Sequence, residues 1–332
     1  MIDVAPMPVV FEPLYKAKPW GGRHLETLLG KKLPAGTPIG ESWELVDLEE
    51  NVSRVKGGLA AGVTVGELVS VWGKGLLGDA PLVEGRFPLL VKFLDACEHL
   101  SVQVHPKPVA DDTAGEQAEI KHECWYILHA EPGAKLYIGL KPGVGPEDVA
   151  RVANTPAMVE ILQAWEGKCG ECYYLPSGTL HALGAGLVVA EVQTPSDITY
   201  RAYDWDRVGL DGKPRELHVA ESLANIRYDV TAEMIRQPAS RRRHAFGEAT
   251  RVVTCERFAL DHVRVEDAVS QELDEQEMRV WVVLAGGGWL TGPRFEVAFE
   301  RGDVVLVPAR CYSVHIWVGE GLECLEATIP VD

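Results

Sequence analysis

The stretch GECYYLPSGTLH, from Gly170 to His181, decides the fold, because the C-terminal part of the chain repeats its pattern. The second copy is GDVVLVPARCYS, from Gly302 to Ser313. In each copy a glycine precedes five residues and a proline, which predicts a turn, a short strand and a second turn. The twelfth position is His181 in the first copy and Ser313 in the second. The pattern indicates a duplicated β unit in which only the first copy keeps this histidine.

The rest of the chain is rich in strand patterns and poor in helical ones. Its 332 residues include 33 Gly and 21 Pro, which implies many turns. A helix with a capping box is predicted at 64–72, and an amphipathic pair of helices at 146–165, broken near Pro156. Residues 236–250 are polar and basic and predict a linker or a long connection, after which only strands are expected. The fold class predicted is therefore mainly β, with jelly-roll barrels, duplicated, and a few helices inserted in the N-terminal part.

The charge balance narrows the classes of partner. The formal net charge is −17 at pH 7, so phosphate backbones and anionic lipid repel the chain, and neither nucleic acid nor a membrane is an expected partner. The N-terminal residues lack the basic and apolar regions of a signal peptide, and no run is long enough to span a membrane, so a cytoplasmic protein is expected. The seven cysteines favour buried free thiols, and we interpret the Cys169–Cys172 pair as structural.

Four residues form a candidate metal site. Gln103 and His105 are two positions apart in an alternating strand and therefore share one face. Glu123 opens the next strand pattern, and His181 follows a turn. Two nitrogen and two oxygen donors with open positions suit zinc, and also manganese, iron, cobalt or nickel. A residue of any of these types is, taken alone, more often a surface or core residue than a ligand. The Gln103-x-His105 pair together with the phrase that ends at His181 favours one metal ion per chain.

Three cations accompany this site in the sequence. Lys92 lies in an otherwise apolar strand, where an ammonium group is costly unless it meets an anion or reaches the surface. Lys121 shares a strand face with Glu123. Arg201 is the third cation and lies among aromatic and acidic residues in the stretch DITYRAYDWDR. Instead of binding a substrate, it could form an ion pair with Asp204 or Asp206. A sugar phosphate is the kind of small molecule that such cations bind beside a metal.

The sequence resembles the type I mannose-6-phosphate isomerases of the cupin superfamily, in their shorter bacterial form. The matching stretches run in family order from Pro19 to about His218: KPWGG (18–22), IGESWELVD (39–47), PLLVKFLDACEHLSVQVHP (88–106), KHECWYI (121–127), YYLPSGTLHALG (173–184), EVQTPSDITYRAYDWDR (191–207) and RELH (215–218). The phrase that ends at His181 matches the second cupin motif. The resemblance implies a zinc enzyme that interconverts mannose 6-phosphate and fructose 6-phosphate through a cis-enediol.

The resemblance also implies residue roles. The family's metal ligands fall on Gln103, His105, Glu123 and His181. Its catalytic arginine falls on Arg201 and its active-site lysine on Lys121, whereas its phosphate-side lysine and serine fall on Lys92 and Ser101. We expect residues 1–235 to form the metal-binding catalytic domain and residues 236–332 to form a cupin-like domain without metal ligands.

The sequence departs from the family pattern at two places, and two functions other than isomerisation stay open. His122 stands where the family has a small residue, and on a strand it should face away from the site. The loop between His105 and Lys121 differs from the family's usual sequence. A metal cupin of another reaction class, such as an iron-dependent dioxygenase, would consume oxygen, and a sugar-phosphate sensor would bind without turnover. The sequence does not identify the general base, for which a metal-bound water and Glu123 both stay open, and it does not predict the oligomeric state.

Overall fold

A computed structural model describes residues 4–108, 120–273 and 277–331 of the chain. Within these ranges the protein is mainly β, as predicted, and its strands form four antiparallel sheets. Most of the loop that departs from the family sequence, residues 109–119, lies outside the described residues.

The strands before residue 236 are short and largely buried. They are β1 Val9–Val10, β2 Leu14–Gly22, β3 Ile39–Leu45, β4 Leu90–Ala96, β5 Val102–Val104, β6 Glu123–Ala130, β7 Lys135–Leu140, β8 Leu162–Glu166, β9 Cys172–Leu175, β10 His181–Leu183, β11 Leu187–Gln193 and β12 Tyr200–Tyr203.

The strands after residue 236 follow one another with no helix between them in the described residues. They are β13 Ser240–Arg243, β14 Glu248–Thr254, β15 Ala259–Val265, β16 Val269–Glu272, β17 Arg279–Ala285, β18 Gly287–Gly292, β19 Phe295–Glu300, β20 Val304–Val307, β21 His315–Val318 and β22 Leu322–Thr328. The expectation of strands alone in this region is confirmed for its described residues, because the last helix ends at Ile235.

The helices are short and lie between strands. They are α1 His24–Leu29, α2 Val65–Trp72, α3 Lys74–Leu77, α4 Pro146–Val152, α5 Val219–Asn225 and α6 Ala232–Ile235, with 3₁₀ turns at Gly58–Ala60 and Pro156–Met158. The predicted capping box is confirmed: the Thr64 side chain accepts from the Glu67 backbone, and Glu67 accepts from the Thr64 backbone. Among the helices that the structure describes, none is long and apolar enough to cross a membrane.

Two sheets of the N-terminal part pack around a shared interior. One has the order β2-β3-β4-β11-β6-β9 and the other the order β12-β5-β10-β7-β8. Their core joins Leu94 and Val189 of the first sheet to Leu136, Ile138 and Leu183 of the second. The first sheet is buried along whole strands such as β4 and β11, so any charged side chain there must face a partner or a cavity.

The C-terminal part repeats this arrangement with different side chains. Its sheets have the orders β1-β20-β17-β22-β15-β14-β13 and β16-β21-β18-β19. Gly170 and Gly302, which open the two repeated phrases, both have positive φ angles, of 84° and 92°. Each therefore makes the turn that the repeat predicts before a strand. Strand β1 pairs with β20, so the N-terminus joins the C-terminal sheet, and the division at residue 235 stays a prediction.

The predicted helix pair at 146–165 is half wrong. Helix α4 ends at Val152, and only one 3₁₀ turn follows at Pro156–Met158. The chain then pairs as β8 with β7, and Trp165 Nε1 donates to the carbonyl of Ile138 over 3.1 Å. Strand pairing at the open edge of the sheet outweighs the helical pattern after the proline, because the edge supplies backbone hydrogen bonds and a contact for the indole.

The predicted linker at 236–250 is also wrong in part. Residues Ser240–Arg243 form β13, an exposed edge strand that pairs with β14. Charged side chains suit an exposed edge strand because they discourage further pairing, so a polar and basic composition does not distinguish such a strand from a linker.

The cysteines are free, as predicted, but they are not all buried. All seven are free thiols; Cys124, Cys311 and Cys324 are buried, whereas Cys97 and Cys169 are exposed.

Candidate active site

Three donor residues converge inside the N-terminal barrel. His105 follows β5, Glu123 opens β6 and His181 opens β10. His105 Nε2 lies 3.1 Å from Glu123 Oε1, and His181 Nε2 lies 3.5 Å from Glu123 Oε2. All three side chains are buried, and their ligand atoms lie within 4.8 Å of one another. Three of the four residues predicted as ligands therefore meet at one point.

Backbone carbonyls fix how both imidazoles face the carboxylate. His105 Nδ1 lies 2.8 Å from the carbonyl oxygen of Ile198, and His181 Nδ1 lies 2.8 Å from that of Thr179. Because a carbonyl only accepts, each Nδ1 carries the proton and each Nε2 presents a lone pair toward Glu123. Lone pairs that face carboxylate oxygens repel them unless a cation lies between, and this is how histidine metal ligands are usually held.

Gln103 and Ser101 border the same point. Gln103 lies directly opposite His181 in the pairing of β5 with β10, and its side-chain nitrogen lies 3.3 Å from His181 Nε2. Ser101 Oγ donates to Gln103 Oε1 over 3.1 Å. The fourth predicted ligand therefore stands beside the other three and is itself held by a serine.

The protonation states suit a divalent cation. Burial raises the pKa of Glu123, but His105 and Lys121 outweigh it and hold that pKa well below its usual range. Burial lowers the pKa of His181 to about 3 and also lowers that of His105. Glu123 Oε2 is buried and accepts no hydrogen bond from the described residues. The site thus offers two neutral imidazoles and one carboxylate, of which one oxygen has no hydrogen-bond partner among the described residues. These are suitable ligands for a divalent metal ion, so the residues fit such an ion.

Lys121 is in direct contact with this group. Its Nζ lies 2.7 Å from Glu123 Oε1 and 3.4 Å from His105 Nε2. The two-residue spacing from Glu123 thus brings both side chains to one side of the strand, as the sequence predicts. The intervening His122 faces the other way, because its Nδ1 lies 2.7 Å from the hydroxyl of Tyr174.

A cavity of about 210 Å³ opens beside the donors. Six of the eight residues predicted for the site line it, and the other two, His105 and His181, contact the lining residue Glu123. Five cations and four carboxylates are among the lining residues: Lys18, Lys92, Lys121, Arg201, Arg215, Glu41, Glu123, Glu191 and Asp197. The cavity is therefore polar and densely charged, which suits a small ionic substrate better than an apolar one.

Lys92 is buried and does not reach the surface. It is 4% exposed, its Nζ lies 3.5 Å from Glu191 Oε2, and the ammonium lies 4.7 Å from the centre of the Trp43 ring. Burial lowers its pKa, but Glu191 and Glu41 outweigh burial and raise it above the usual range. Lys92 is therefore a charged ammonium that the cavity's carboxylates stabilise.

Arg201 does not form the ion pairs that the sequence offered as alternatives. Asp204 instead binds Arg207 and Arg215, and Asp206 accepts from a tyrosine. Arg201 lies opposite Gln103 in the pairing of β12 with β5, and its Nη1 donates to the carbonyl of Glu216 over 3.0 Å. Its guanidinium thus lines the cavity beside the metal donors.

Sequence reasoning missed five charged residues of the cavity, which are Lys18, Glu41, Glu191, Asp197 and Arg215. Lys18 and Glu41 form an ion pair of 2.9 Å, and the pKa of Glu41 falls to about 2 because its neighbouring lysines outweigh burial. Glu191 accepts from Trp125 Nε1 over 2.9 Å, and burial together with Glu123 raises its pKa to about 7. A signal was present, since Glu191 interrupts an apolar strand in the same way as Lys92 does.

Fold and site together define a cupin-type protein with a buried site suited to a divalent metal. A family model described as phosphomannose isomerase type I, catalytic domain, matches residues 9–126. Mannose-6-phosphate isomerase ManA from Bacillus subtilis is 32% identical over 314 residues, which cover 91% of this chain and 93% of that protein. Mannose-6-phosphate isomerase from Streptococcus mutans is 32% identical, covering 95% of each chain.

A solved structure agrees with these relatives. The crystal structure of the mannose 6-phosphate isomerase from Bacillus subtilis superposes with a TM-score of 0.84 at 28% identity, covering 97% of this chain and 100% of that one. The chain belongs to the type I mannose-6-phosphate isomerase family.

Proposed function

We propose that this protein interconverts mannose 6-phosphate and fructose 6-phosphate through a cis-enediol, with one zinc ion in the active site. The observation that carries the proposal is the single cavity in which five cations meet the candidate metal donors. A phosphorylated sugar needs cations for its phosphate and a polarising group near its carbonyl, and this cavity offers both within about 210 Å³.

Gln103, His105, Glu123 and His181 would hold the metal. The chemistry that zinc supplies when bound is Lewis-acid polarisation of the substrate oxygens at C1 and C2. Lys121, 2.7 Å from Glu123 Oε1, supports the carboxylate in its ionised form and adds positive charge where the enediol oxygens develop negative charge. Arg201 lies on the neighbouring strand and faces the same cavity, so it stabilises the same charge from another side.

Proton transfer between C1 and C2 needs a base whose pKa lies near the working pH. Glu191 suits this role, because its carboxylate lines the cavity and burial raises its pKa above the usual range. The hydrogen bond from Trp125 holds one oxygen, and the second oxygen lies 3.5 Å from Lys92. We assign to Glu191 the proton-shuttling role that the sequence left open.

The phosphate is assigned to Lys92, with Ser101 as a second contact whose hydroxyl would turn from Gln103 Oε1 to the phosphate. Lys92 is the most deeply buried cation of the cavity together with Lys121, and an ammonium in such a site binds a phosphate strongly because water does not compete. Its carboxylate neighbours keep it charged while no substrate is present. The substrate therefore meets a cation that is already in position.

The test is to incubate the protein with mannose 6-phosphate. NMR measures the formation of fructose 6-phosphate, and an oxygen electrode measures oxygen consumption. We expect product without oxygen consumption. Arg201→Ala should lower kcat/KM by at least about 10²-fold, the usual cost of losing one charge-stabilising donor, while Arg151→Ala on the exposed face of α4 should match the wild type. Near-normal turnover by Arg201→Ala with its metal retained would refute the role of Arg201; binding without turnover would favour a sensor.

A further inference from the structure

A second group of metal-type donors lies outside the active site. His24, Asp95 and Cys97 bring one ligand atom each within 4.8 Å of the others. His24 begins α1, Asp95 lies near the end of β4 and Cys97 follows that strand. None of the three lines the active-site cavity, so the proposed isomerase does not use this group.

The three donor atoms converge on one point instead of forming a relay. Asp95 Oδ1 lies 2.8 Å from His24 Nδ1, and Cys97 Sγ lies 3.9 Å from the same nitrogen. A catalytic relay needs the carboxylate and the thiol on opposite ring nitrogens, because the imidazole passes a proton between them. Here both approach Nδ1, which is the arrangement of ligands around a shared ion. The backbone N–H of His24 also donates to Asp95 Oδ2 over 2.7 Å, so the carboxylate is held in place.

Gly22 leaves space for this group. A methyl group at Gly22 would come within 2.4 Å of Cys97 Sγ and within 2.8 and 3.0 Å of the two Asp95 oxygens. Gly22 is not among the glycines of positive φ, so its backbone does not require glycine. The missing side chain instead gives room to the three donors.

The charge around the thiol favours a cation. Burial raises the pKa of Cys97, and Asp95, Glu98 and Glu131 raise it further. Reactive cysteines lie in electropositive surroundings that stabilise the thiolate, so this setting argues against a nucleophilic or redox role. A divalent cation, by contrast, gains from three carboxylates and displaces the thiol proton directly.

The geometry points to a second zinc site, with His24 Nδ1, Asp95 and Cys97 as ligands and solvent in the fourth position. Imidazole, carboxylate and thiolate are all zinc ligands, and the thiolate favours zinc over harder ions such as magnesium. Binding releases the Cys97 proton to solvent and moves the His24 proton from Nδ1 to Nε2, with no change of oxidation state. The ion would tie α1 to the end of β4, the strand that carries Lys92.

Cobalt separates this site from the active site in the full-length protein. Of the two sites, the second one alone offers a thiolate, so titrating metal-free protein with Co²⁺ should produce a near-ultraviolet thiolate-to-cobalt absorption that saturates once both sites are filled, at about two equivalents. Zn²⁺ should remove it, because zinc binds such donors more tightly than cobalt. Cys97→Ser should abolish the absorption, whereas Cys169→Ser, which alters another exposed thiol, should leave it unchanged.

A second measurement needs no variant and so does not depend on folding of Cys97→Ser. Zn²⁺ should protect Cys97 from alkylation by iodoacetamide at least tenfold, as measured by mass spectrometry, while Cys169 in the same molecule reacts at an unchanged rate. Absence of the cobalt absorption in the wild type, its persistence in Cys97→Ser, or equal alkylation of Cys97 with and without zinc would each overturn the proposal. Neither measurement uses isomerase activity, so the result stands apart from the proposed function.

Discussion

Replacing Glu191 by glutamine removes a proton-transfer group while it keeps the shape of the side chain. The amide oxygen still accepts from Trp125, so the local geometry is preserved. Loss of a general acid–base group costs about 10²–10⁴ in rate, which corresponds to about 3–5 kcal/mol of transition-state stabilisation. We therefore expect kcat to fall by at least about a hundredfold, with a metal content equal to that of the wild type.

The same substitution also has a calculable effect on stability. Glu191 and Lys92 are 4% and 5% exposed in their side chains, and breaking a buried ion pair costs about 3–5 kcal/mol when the remaining charge has no partner. Because the single amide oxygen accepts from Trp125, the amide nitrogen faces the Lys92 ammonium and no longer stabilises it, whereas Glu41 remains its neighbour. The expected loss is therefore about 3 kcal/mol, the lower end of that range, because Lys92 keeps one carboxylate partner.

The assay is a coupled isomerase reaction with metal analysis and thermal unfolding of each variant. Glu272→Gln, on the exposed strand β16, is the matched control and should match the wild type in all three. A Glu191→Gln enzyme with kcat within about threefold of the wild type, at equal metal content, would refute the assignment of the base, because general acid–base catalysis is worth far more than that.

Two further predictions concern stability. Glu41 has a pKa of about 2 in the folded protein against 4.5 in the unfolded chain. Its ionised form therefore stabilises the fold above pH 4.5, and this stabilisation is lost as pH falls toward 2. In denaturation measured at several pH values, Glu41→Gln should remove about 3 kcal/mol of this dependence of stability on pH. Gly178 and Gly62 both have positive φ, but only at Gly178 would a methyl group clash, 2.7 Å from Arg227 Cγ. Each alanine should cost about 1–2 kcal/mol through strain. Gly178→Ala should lower the melting temperature further than Gly62→Ala and should weaken metal binding, because the turn positions His181; equal melting temperatures would contradict this.

Much of the site was predictable because strand geometry is local. A two-residue spacing was enough to predict that Gln103 and His105 share one face. The same spacing predicted that Lys121 lies beside Glu123. The repeated phrase predicted the turn that carries His181, and the resemblance supplied the order of the pieces. These residues share short stretches in which two-residue periodicity decides the direction of each side chain.

The other features of the fold and of the site depend on contacts between residues that are far apart in the sequence, which a local sequence pattern does not predict. Lys18 and Glu41 lie on adjacent strands, and only the pairing of β2 with β3 brings their charges together. Strand β8 has a helical pattern, but it pairs with β7 because that sheet edge needs a partner. The second donor group is similar, since Cys97 lies near His24 only after β4 returns to the start of α1. Such positions are fixed by tertiary pairing, which outweighs local propensity.

Metal dependence of isomerisation tests the central claim most directly. The protein is stripped with chelator, zinc is returned in steps, and conversion of mannose 6-phosphate is measured at each step for the wild type, Glu123→Gln and Cys97→Ser. We expect activity to vanish with the metal and to return with zinc in the wild type and Cys97→Ser, but not in Glu123→Gln. Full activity of the metal-free protein, or full recovery of Glu123→Gln, would contradict a catalytic metal held by His105, Glu123 and His181.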